Sequence, residues 1–554
     1  MKSSSFSSSS SKRKPMNITT TDFNEILSQA DIAYETSNVE SALQLYSYAQ
    51  LVLQQTLQKQ EKEQQEQQQE QNQLLVLSNN HQFNKDDFVS NMISYAKVSC
   101  KIGEIKASFH DPNDKGYNDF IKGINLLSKE NEQKYLLLSS SAVSNDELKT
   151  TESTHHDNSV SSSSSSSSSI IVDNLMIQAQ WKEVRANLYM YLGQLSNGID
   201  ALTNFKVAVI DFKECIDVLE QSHSISCNKQ TTSNPSSQLS IAPTNNMDQS
   251  SSIEVTILET SKQLCGAYCS IAELYMTDLC FEPNAEQECE KILILALDLD
   301  KKQQLQLQCI KKNSNSDEYD VLVSPDASQV MANFRLCQSR YMEAIPYILD
   351  AYSRMKDGCE AMADLVGLGH QSNMQSQGKV ENDNVAKELK EDALKATEKI
   401  PGFEFRCQTA KILLECAATL EESKTVDEIS TEQGQQLSIE KKEEQRIYCV
   451  EAAIQVLGSL IAENDEVIEI WYLLGCAFQS KSINHYDTSK HHFETALEML
   501  MRTKEEMEQC SDMHIDEINQ NDENDCNPLK DVLQKIEDVK GKIKEVASTG
   551  MNED

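Results

Sequence analysis

The sequence predicts an all-α protein, a solenoid of stacked helix pairs separated by polar inserts, and its composition is the first reason. Only 16 Gly and 9 Pro occur among the 554 residues, far below the roughly 12% that the two together reach in average proteins. Sheets, sandwiches and barrels need many of these residues in their turns. The second reason is that apolar residues recur at helical spacing between low-complexity tracts, in stretches that look alike.

The most complete of these stretches lies at 471–478 and has the sequence WYLLGCAF. It matches Trp-x2-Leu-Gly-x2-aromatic, the first helix (A) of the tetratricopeptide (TPR) repeat, a unit of 34 residues and two antiparallel helices. Ser489, Phe493 and Ala496 match its second helix (B), two residues later than usual. Small residues in this pattern let two helices approach closely, and large ones fill the gap beside them. We expect a regular helix pair here, joined by a longer turn.

The same pattern recurs along the chain. Three more stretches are in phase: Ala30 before Ala42, Tyr46 and Ala49; Leu188 and Leu192 before Ala201, Phe205 and Ala208; Ala332 before Ala344, Ile348 and Ala351. A looser match lies at 266–299, and one looser still at 88–127. Repeats of this type stack into a right-handed α-superhelix, whose concave groove is lined mainly by the A helices. The alternative is a generic helical bundle with accidental periodicity.

Low-complexity tracts divide the repeats, and most of them lack the apolar surface needed to offset ordering entropy. The Gln/Glu tract at 58–73 could instead prolong a helix. The expected organisation is a disordered Ser-rich basic start at 1–21, an N-terminal TPR at 22–57, a Gln/Glu-rich insert at 58–82, a degenerate TPR at 83–133, a disordered Ser-rich insert at 134–169, a TPR at 170–220, a disordered insert at 221–252, TPR repeats at 253–357, a charged linker at 358–399, C-terminal TPR repeats at 400–502 with an insert at 419–445, and an acidic tail at 503–554.

Charge narrows the class of partner. The formal net charge is −37, which repels nucleic acid and anionic membranes and attracts basic partners. Simple solubility is the alternative reason for such a charge. We therefore expect no direct nucleic-acid or membrane partner, and a monomer.

Cysteine usage and the start of the chain point to a cellular compartment. The 16 cysteines are scattered, include no CxxC pair, and lie mostly among apolar residues, where reduced Cys packs as a small hydrophobe. Residues 1–15 lack the apolar core of a secretory signal, and no apolar run is long enough to span a membrane. We expect a protein of the cytoplasm and nucleus.

Catalytic motifs are missing from the sequence. It contains no Gly-rich phosphate loop, no HExxH and no zinc-type Cys spacing, which are the common signatures of nucleotide and metal sites. We therefore expect no enzyme activity, no cofactor and no metal. The clamp with which TPR proteins bind chaperone C-termini is also disfavoured. It needs Lys and Asn at fixed positions of the A helices, and among those positions only Asn333 has the right chemistry.

Two stretches are more specific than the TPR consensus. Residues 273–290 have the sequence ELYMTDLCFEPNAEQECE; residues 403–414 have FEFRCQTAKILL and are followed, after an insert, by ENDEVIEIWYLLG at 463–475. Together they resemble the eukaryotic TPR family of dedicated assembly chaperones for the large-subunit ribosomal protein L-four. Nothing in the TPR consensus demands the run YMTDLCFEP. The resemblance covers about 270–502, and the long Ser and Gln tracts depart from it.

The resemblance implies a partner and a site. Members of that family bind a long, highly basic internal loop of the ribosomal protein, a segment destined to penetrate ribosomal RNA. A chain of this kind would mask the loop and later release it to RNA, whose phosphates compete for basic side chains. The candidate contacts are polar residues expected on, or just past, concave-facing A helices: Asp278, Glu282, Asp326, Asn333, Glu469 and Tyr472.

Each candidate has a plainer alternative. The carboxylates would pair with Arg or Lys and the tyrosine would stack on a guanidinium, but a solvated role or pairing within a repeat would also explain each residue. Glu282 before Pro283 could simply mark a helix end. The rival function is a general TPR interaction scaffold within a multi-subunit complex.

Overall fold

The structure is a computed structural model, and the prediction of an all-α fold is confirmed. It describes residues 20–73, 85–108, 116–134, 165–231, 246–313, 324–368, 400–427, 436–482, 485–512 and 528–550. These residues form helices and connecting turns, and none of them is in a β-strand. No helix among them is long and apolar enough to cross a membrane.

The chain divides into two compact units, Met1–Pro283 and Asn284–Asp554, called unit 1 and unit 2. The helices of unit 1 are α1 Thr20–Glu35, α2 Val39–Gln73, α3 Lys85–Ser108, α4 Tyr117–Leu126, α5 Ser165–Leu195, α6 Gly198–Thr231 and α7 Asn246–Met276. A short helical turn at 129–134 follows α4. The helices pack in consecutive pairs, α1 with α2, α3 with α4 and α5 with α6, and α7 then packs on α6.

Unit 2 is built in the same way. Its helices are α8 Ala285–Asn313, α9 Asp326–Cys337, α10 Tyr341–Ser353, α11 Lys356–Leu365, α12 Phe403–Asp427, α13 Gln436–Glu463, α14 Ile468–Lys481, α15 Tyr486–Asp512 and α16 Pro528–Gly550. The pairs here are α9 with α10, α12 with α13, and α14 with α15. Helix α11 packs on α13, and α16 packs on α15.

Contact between Gly475 and an aromatic ring defines the last pair. A Cβ on Gly475 would lie 2.5 Å from the ring of Phe493, which is closer than real Cβ atoms come, so the ring of α15 can cross α14 only where α14 has no side chain. Ser489 Oγ donates a hydrogen bond of 2.7 Å to the backbone oxygen of Gly475. These contacts match the roles that the TPR motif assigns to the three residues.

Two pairs of unit 1 repeat this contact. A Cβ on Gly193 would lie 2.4 Å from Phe205, and one on Gly103 would lie 2.6 Å from Phe120. Gly116, at a φ of +75°, sits against the backbone of Gly103, where a Cβ would be 2.3 Å from the carbonyl oxygen. The stretch 88–127, whose match to the repeat pattern is the weakest, therefore contains a tightly packed pair, α3 and α4, built on glycines.

Buried charges fix the connection after α4. Arg185 of α5 donates two hydrogen bonds, of 2.7 and 2.8 Å, to the carboxylate of Asp211 on α6, and a third, of 2.8 Å, to Glu132. Lys182 pairs with the same Glu132 at 2.6 Å. The side chains of Arg185 and Asp211 are 2% and 0% exposed. This network ties the 129–134 turn to α5 and α6.

Several helices reach into tracts that composition marks as inserts or linkers. Helix α2 continues through the Gln/Glu tract to Gln73, α5 begins at Ser165, α6 ends at Thr231, and α7 begins at Asn246. Most of the remaining residues of the Ser-rich start and of the inserts at 134–169 and 221–252 lie outside the described residues. A tract of Gln, Glu and Lys suits a helix because straight-chain residues lose little rotamer freedom there.

The charged linker expected from residue 358 begins with a packed helix instead. In α11, Cys359, Met362 and Ala363 are buried. A Cβ on Gly458 of α13 would lie 2.8 Å from the Cβ of Ala363. These three small or apolar residues at helical spacing form the face with which α11 packs on α13, although the tract that follows is charged.

The acidic tail also contains a packed helix. Helix α16 buries Ile536, Val539 and Val546 against Phe493 and Leu500 of α15. Residues 503–554 were expected to form a charged tail because Asp and Glu outnumber Lys and Arg there, but the apolar residues of α16 recur on one face of a helix.

Candidate partner-binding surface

Helices α1, α3, α5 and α7 correspond to the A helices of the predicted repeats in unit 1 and carry linked polar side chains, which we call their polar face. The first part of this face joins α1, α3 and α5. The Lys101 ammonium lies 4.7 Å from the ring centre of Tyr34 and 3.1 Å from the Glu104 carboxylate. Tyr191 of α5 donates a hydrogen bond to Glu104, and its pKa is raised, mainly by burial and further by that carboxylate. Tyr191 therefore remains a neutral donor, and three helices meet at Glu104.

The second part of the face joins α3, α5 and α7. Glu183 of α5 accepts a hydrogen bond from Gln263 of α7, and Lys97 of α3 lies near enough to stabilise its charge. The pKa of Glu183 is nevertheless raised, chiefly by burial and further by Glu259 of α7. Part of the negative charge on this face is thus held in a partly desolvated setting, where it attracts a cation more strongly than in water.

One carboxylate from each helix forms what we call the unit 1 acid row: Asp31, Glu104, Glu183 and Glu259. Asp31 accepts a hydrogen bond from Tyr46 of α2, and the charges of Asp31 and Glu104 both act on that tyrosine. Lys97 and Lys101 on α3 offset part of the charge. The row nevertheless offers an acidic strip along the four alternate helices α1, α3, α5 and α7, the chemistry that a basic peptide would need.

Asp278 and Glu282 lie together in the turn after α7. Asp278 was expected on an A helix, but α7 ends at Met276. Its carboxylate accepts a hydrogen bond of 3.2 Å from the backbone N–H of Gly198, the first residue of α6. A carboxylate at this place satisfies a free N–H group and complements the helix dipole. Glu282 is exposed in the same turn.

Asp326 and Asn333 lie on one stripe of α9, because residues seven apart share a helix face. Both are half-buried, and Asp326 is the first residue of the helix. Gln329 lies between them on the stripe and donates hydrogen bonds to the Phe405 oxygen at 2.7 Å and to Thr409 at 2.6 Å, both on α12. This stripe of α9 therefore faces the next A helix, and Asn333 lies beside that contact.

Glu469 forms an ion pair within the protein. Its carboxylate lies 2.8 Å from the Lys411 ammonium of α12, and both side chains are partly exposed. The hydrogen bond that Lys411 donates to Glu469 raises the pKa of Lys411. A basic partner would have to compete with Lys411 for Glu469, which favours the plainer role of pairing between repeats.

Tyr472 lies in an apolar cluster rather than on an open groove. Its ring centre is 5.6 Å from that of Phe493, and it packs against the cluster that α15 forms with Ile536 and Val539 of α16. Burial raises the pKa of Tyr472 to about 12. Because α16 covers this part of α14, the expected stacking of Tyr472 on a guanidinium is still only a prediction, and its surroundings favour a packing role.

The structure thus brings the six candidates together only in pairs, one on the α7 turn, one on α9 and one on α14. The unit 1 acid row was not predicted from the sequence, and neither was the role of Phe281, whose side chain is 97% exposed. No sequence signal located the acid row, because the roles of Gly103 and Gly193 at the crossings of α3 and α5 show only in the structure.

The described side chains form neither a metal site nor a disulfide bond. Within the described ranges, no group of three or more His, Cys, Asp or Glu side chains could hold a metal ion. The 14 cysteines whose side chains the structure describes are free thiols. In the core, burial raises the pKa of Cys449 to about 12, so that buried thiol is protonated at neutral pH and packs as an apolar group.

Comparison with known proteins supports the resemblance found in the sequence. No protein-family model matches the chain. A stretch of 246 residues is 26% identical to a protein of Schizosaccharomyces pombe named "Probable assembly chaperone of rpl4" and covers 44% of this chain. The chain spans about half the length of this curated relative, 48% of it.

Proposed function

We propose that this chain is a dedicated assembly chaperone of the large-subunit ribosomal protein L-four. It binds and masks the basic internal loop of the newly made protein and hands it to the pre-ribosome. The observation that carries this proposal is the similarity to a protein whose name states that role. The helix pairs and the acidic surface are what such a role requires.

Charge supplies the physical reason for binding. An Arg- and Lys-rich loop binds RNA non-specifically, with an affinity that grows with the number of phosphates it neutralises. A protein of net charge −37 that presents carboxylates along consecutive A helices would occupy the loop first and prevent this. Neither ATP nor catalysis is required for release, because the denser phosphates of ribosomal RNA can displace the chaperone by competition.

The proposed route follows from the same role. The ribosomal protein is made in the cytoplasm and assembled in the nucleus, so we infer that the chaperone is present in both compartments. One chaperone binds one ribosomal protein as a monomer, and the acidic chain makes no direct contact with nucleic acid.

Affinity purification of the tagged full-length chain tests the proposal against the scaffold alternative. We expect one ribosomal protein, L-four, to be recovered in stoichiometric amount. Recovery of a stable set of several unrelated subunits, without that ribosomal protein, would instead show a general interaction scaffold.

A binding measurement with the purified internal loop of L-four tests the charge mechanism. Affinity should fall steeply between 0.1 and 1 M salt, because the Debye length shortens from roughly 10 to 3 Å. The double variant Glu104→Gln and Glu259→Gln should weaken binding at 0.1 M salt about tenfold or more, as expected for lost charge-assisted hydrogen bonds.

The matched control removes two charges from the B-helix side of unit 1. Asp217 and Glu220 are exposed on α6, and the variant Asp217→Asn with Glu220→Gln has the same net charge as the test variant. Equal weakening by both variants would show that the chain acts as a diffuse polyanion and that the acid row is not the site.

A further inference from the structure

Phe281 is the most exposed of the large apolar side chains that the structure describes, at 97%. It belongs to the run YMTDLCFEP, which the helix-pair packing does not require. Single exposed apolar residues are common on protein surfaces, but aromatic ones at a fixed position are typical of contacts with partners. The environment of Phe281 decides between these two cases.

The turn that carries Phe281 is held in place. The backbone N–H and the hydroxyl of Thr277 both donate to the Glu273 oxygen, at 3.0 and 2.9 Å, and the N–H of Leu279 donates to the Leu274 oxygen at 2.9 Å. The N–H of Glu282 then donates to the Leu279 oxygen at 3.0 Å, which closes a tight turn around Phe281. The backbone that carries the ring is therefore held at a fixed position.

The turn is also attached to the neighbouring pair of helices. Leu279 is buried and lies beside Gly198, where an added Cβ would be 3.9 Å from the leucine side chain. Asp278 binds the N–H of the same glycine. Two contacts on either side of the Asp278–Leu279 peptide hold the turn on the start of α6, so the backbone of the turn does not need to be ordered when a partner binds.

The charges around the ring select the partner. Glu282 follows Phe281 and is exposed, Asp278 and Glu273 are the other charged residues of 273–283, and this segment contains no Lys or Arg. An aromatic face beside a carboxylate suits a planar cation, which can stack on the ring while it donates hydrogen bonds to the acid. A lysine, as a compact and strongly hydrated charge, would use the pair less well.

We propose that Phe281 and Glu282 form an anchor for an arginine of the basic ribosomal-protein segment. The guanidinium stacks on the Phe281 ring and donates to the Glu282 carboxylate. The proposal rests on the proposed function, because the occupant is the partner named there, and it assigns to the turn after α7 a contact separate from the unit 1 acid row.

The test uses the full-length chain and a synthetic peptide of the L-four internal loop, measured by calorimetry, beside thermal melts of each variant. Phe281→Ala and Glu282→Gln should each weaken binding by roughly five- to thirtyfold, the range that a cation–π or charge-assisted contact supplies. Phe281→Leu should weaken binding nearly as much as Phe281→Ala, and a peptide with every arginine replaced by lysine should lose its sensitivity to Phe281→Ala.

The control is Ile210→Ala, which removes another exposed apolar side chain of unit 1, 47% exposed on α6, and should leave affinity unchanged. Wild-type affinity in Phe281→Ala would overturn the anchor while leaving the proposed function intact. A melting temperature lowered by Phe281→Ala would show that the ring is buried within the chain in solution, and would overturn it as well. Full affinity in Phe281→Leu would overturn the arginine contact, and failure of the wild-type chain to bind the peptide would overturn both the anchor and the proposed function.

Discussion

The ring of Phe493 fills the space that a side chain on Gly475 would need at the crossing of α14 and α15: a Cβ on the glycine would lie 2.5 Å from ring atom Cε1 and 2.6 Å from Cδ1. Both residues are buried. The ring is at the centre of the cluster onto which α16 packs, so this one close approach also positions the C-terminal helix. The stability of the last three helices should therefore depend on the size of residue 475.

Gly475→Ala should destabilise the chain by about 1–3 kcal/mol, the usual cost of overpacking a core. Chemical denaturation followed by circular dichroism measures this change. In a double-mutant cycle, Phe493→Leu should relieve part of the cost of Gly475→Ala, because the two substitutions act on one contact.

The control for that experiment is Gly266→Ala in α7. A Cβ at this helical glycine meets nothing within 4 Å, so the substitution should stabilise the chain by about 0.5–1 kcal/mol, because the unfolded chain loses less conformational entropy on folding. A Gly475→Ala protein as stable as Gly266→Ala would contradict the proposed crossing of α14 and α15.

Arg185→Met should destabilise unit 1 by about 3–5 kcal/mol, because it leaves the Asp211 carboxylate buried without its partner. Asp211 is fully buried, and Arg185 also holds Glu132. Thermal melts of the full chain check the prediction. The control Arg502→Met breaks an exposed pair with Glu498 at 3.3 Å and should cost no more than about 0.5 kcal/mol.

A chain ending at residue 527 should unfold at a lower temperature than one ending at residue 550. The shorter chain lacks α16, which exposes the faces of α14 and α15 that contact Ile536, Val539 and Val546, whereas the longer one keeps all of it. Calorimetry of the two truncations against the full chain tests this. Equal transition temperatures would mean that α16 does not pack on α15 in solution.

Stability should fall in acid because of His492, a buried residue of α15. Its ring lies 5.2 Å from that of Phe478 and 5.6 Å from that of Trp471, and neither ring nitrogen has a hydrogen-bond partner among the described residues. Burial lowers the pKa of His492 from 6.5 to about 4, and His491 adds to this effect. The folded state therefore holds the ring neutral while the unfolded state takes up a proton.

The sign follows from this difference in proton uptake. Between pH 6.5 and 4 the unfolded chain binds more protons at this residue, so the contribution of His492 to stability is complete above pH 6.5 and is lost as the pH falls. About 2 kcal/mol should be lost between pH 7 and pH 4.5. His492→Leu should remove this part of the pH dependence, and His491→Gln, at an exposed position, should retain it. Identical pH profiles for wild type and His492→Leu would refute the assignment.

Local pattern was enough to predict the helix pairs. The residues that set the A–B crossings are close in sequence, as with Gly475, Ser489 and Phe493, and their sizes alone dictate how near two helices can come. The match at 88–127 looked weak because the residues that set its crossing are glycines and not the larger residues of the repeat pattern. Its crossing uses Gly103 and Gly116, and a glycine shows its role only when the ring or backbone that fills its space is known.

The candidate partner contacts were likewise predicted only in part from the sequence. That acidic residues would lie on and beside the A helices could be predicted from the sequence, since charge and helical period are local properties. Whether a particular side chain is available to a partner depends on what packs against it. Glu469 is paired because Lys411 approaches from α12, and Tyr472 is half-buried because α16 packs over α14 and α15.

The sequence by itself therefore determined the all-α class, the phase of the clearest repeats and the acidic character of the surface, because spacing and composition are properties of neighbouring residues. Only the tertiary structure decided that the acidic C-terminal segment contains a core helix, that Asp278 is bound to the start of α6, and that Phe281 is left exposed beside it. Burial is a property of surfaces that meet across long stretches of chain, and no local pattern states which surface will meet which.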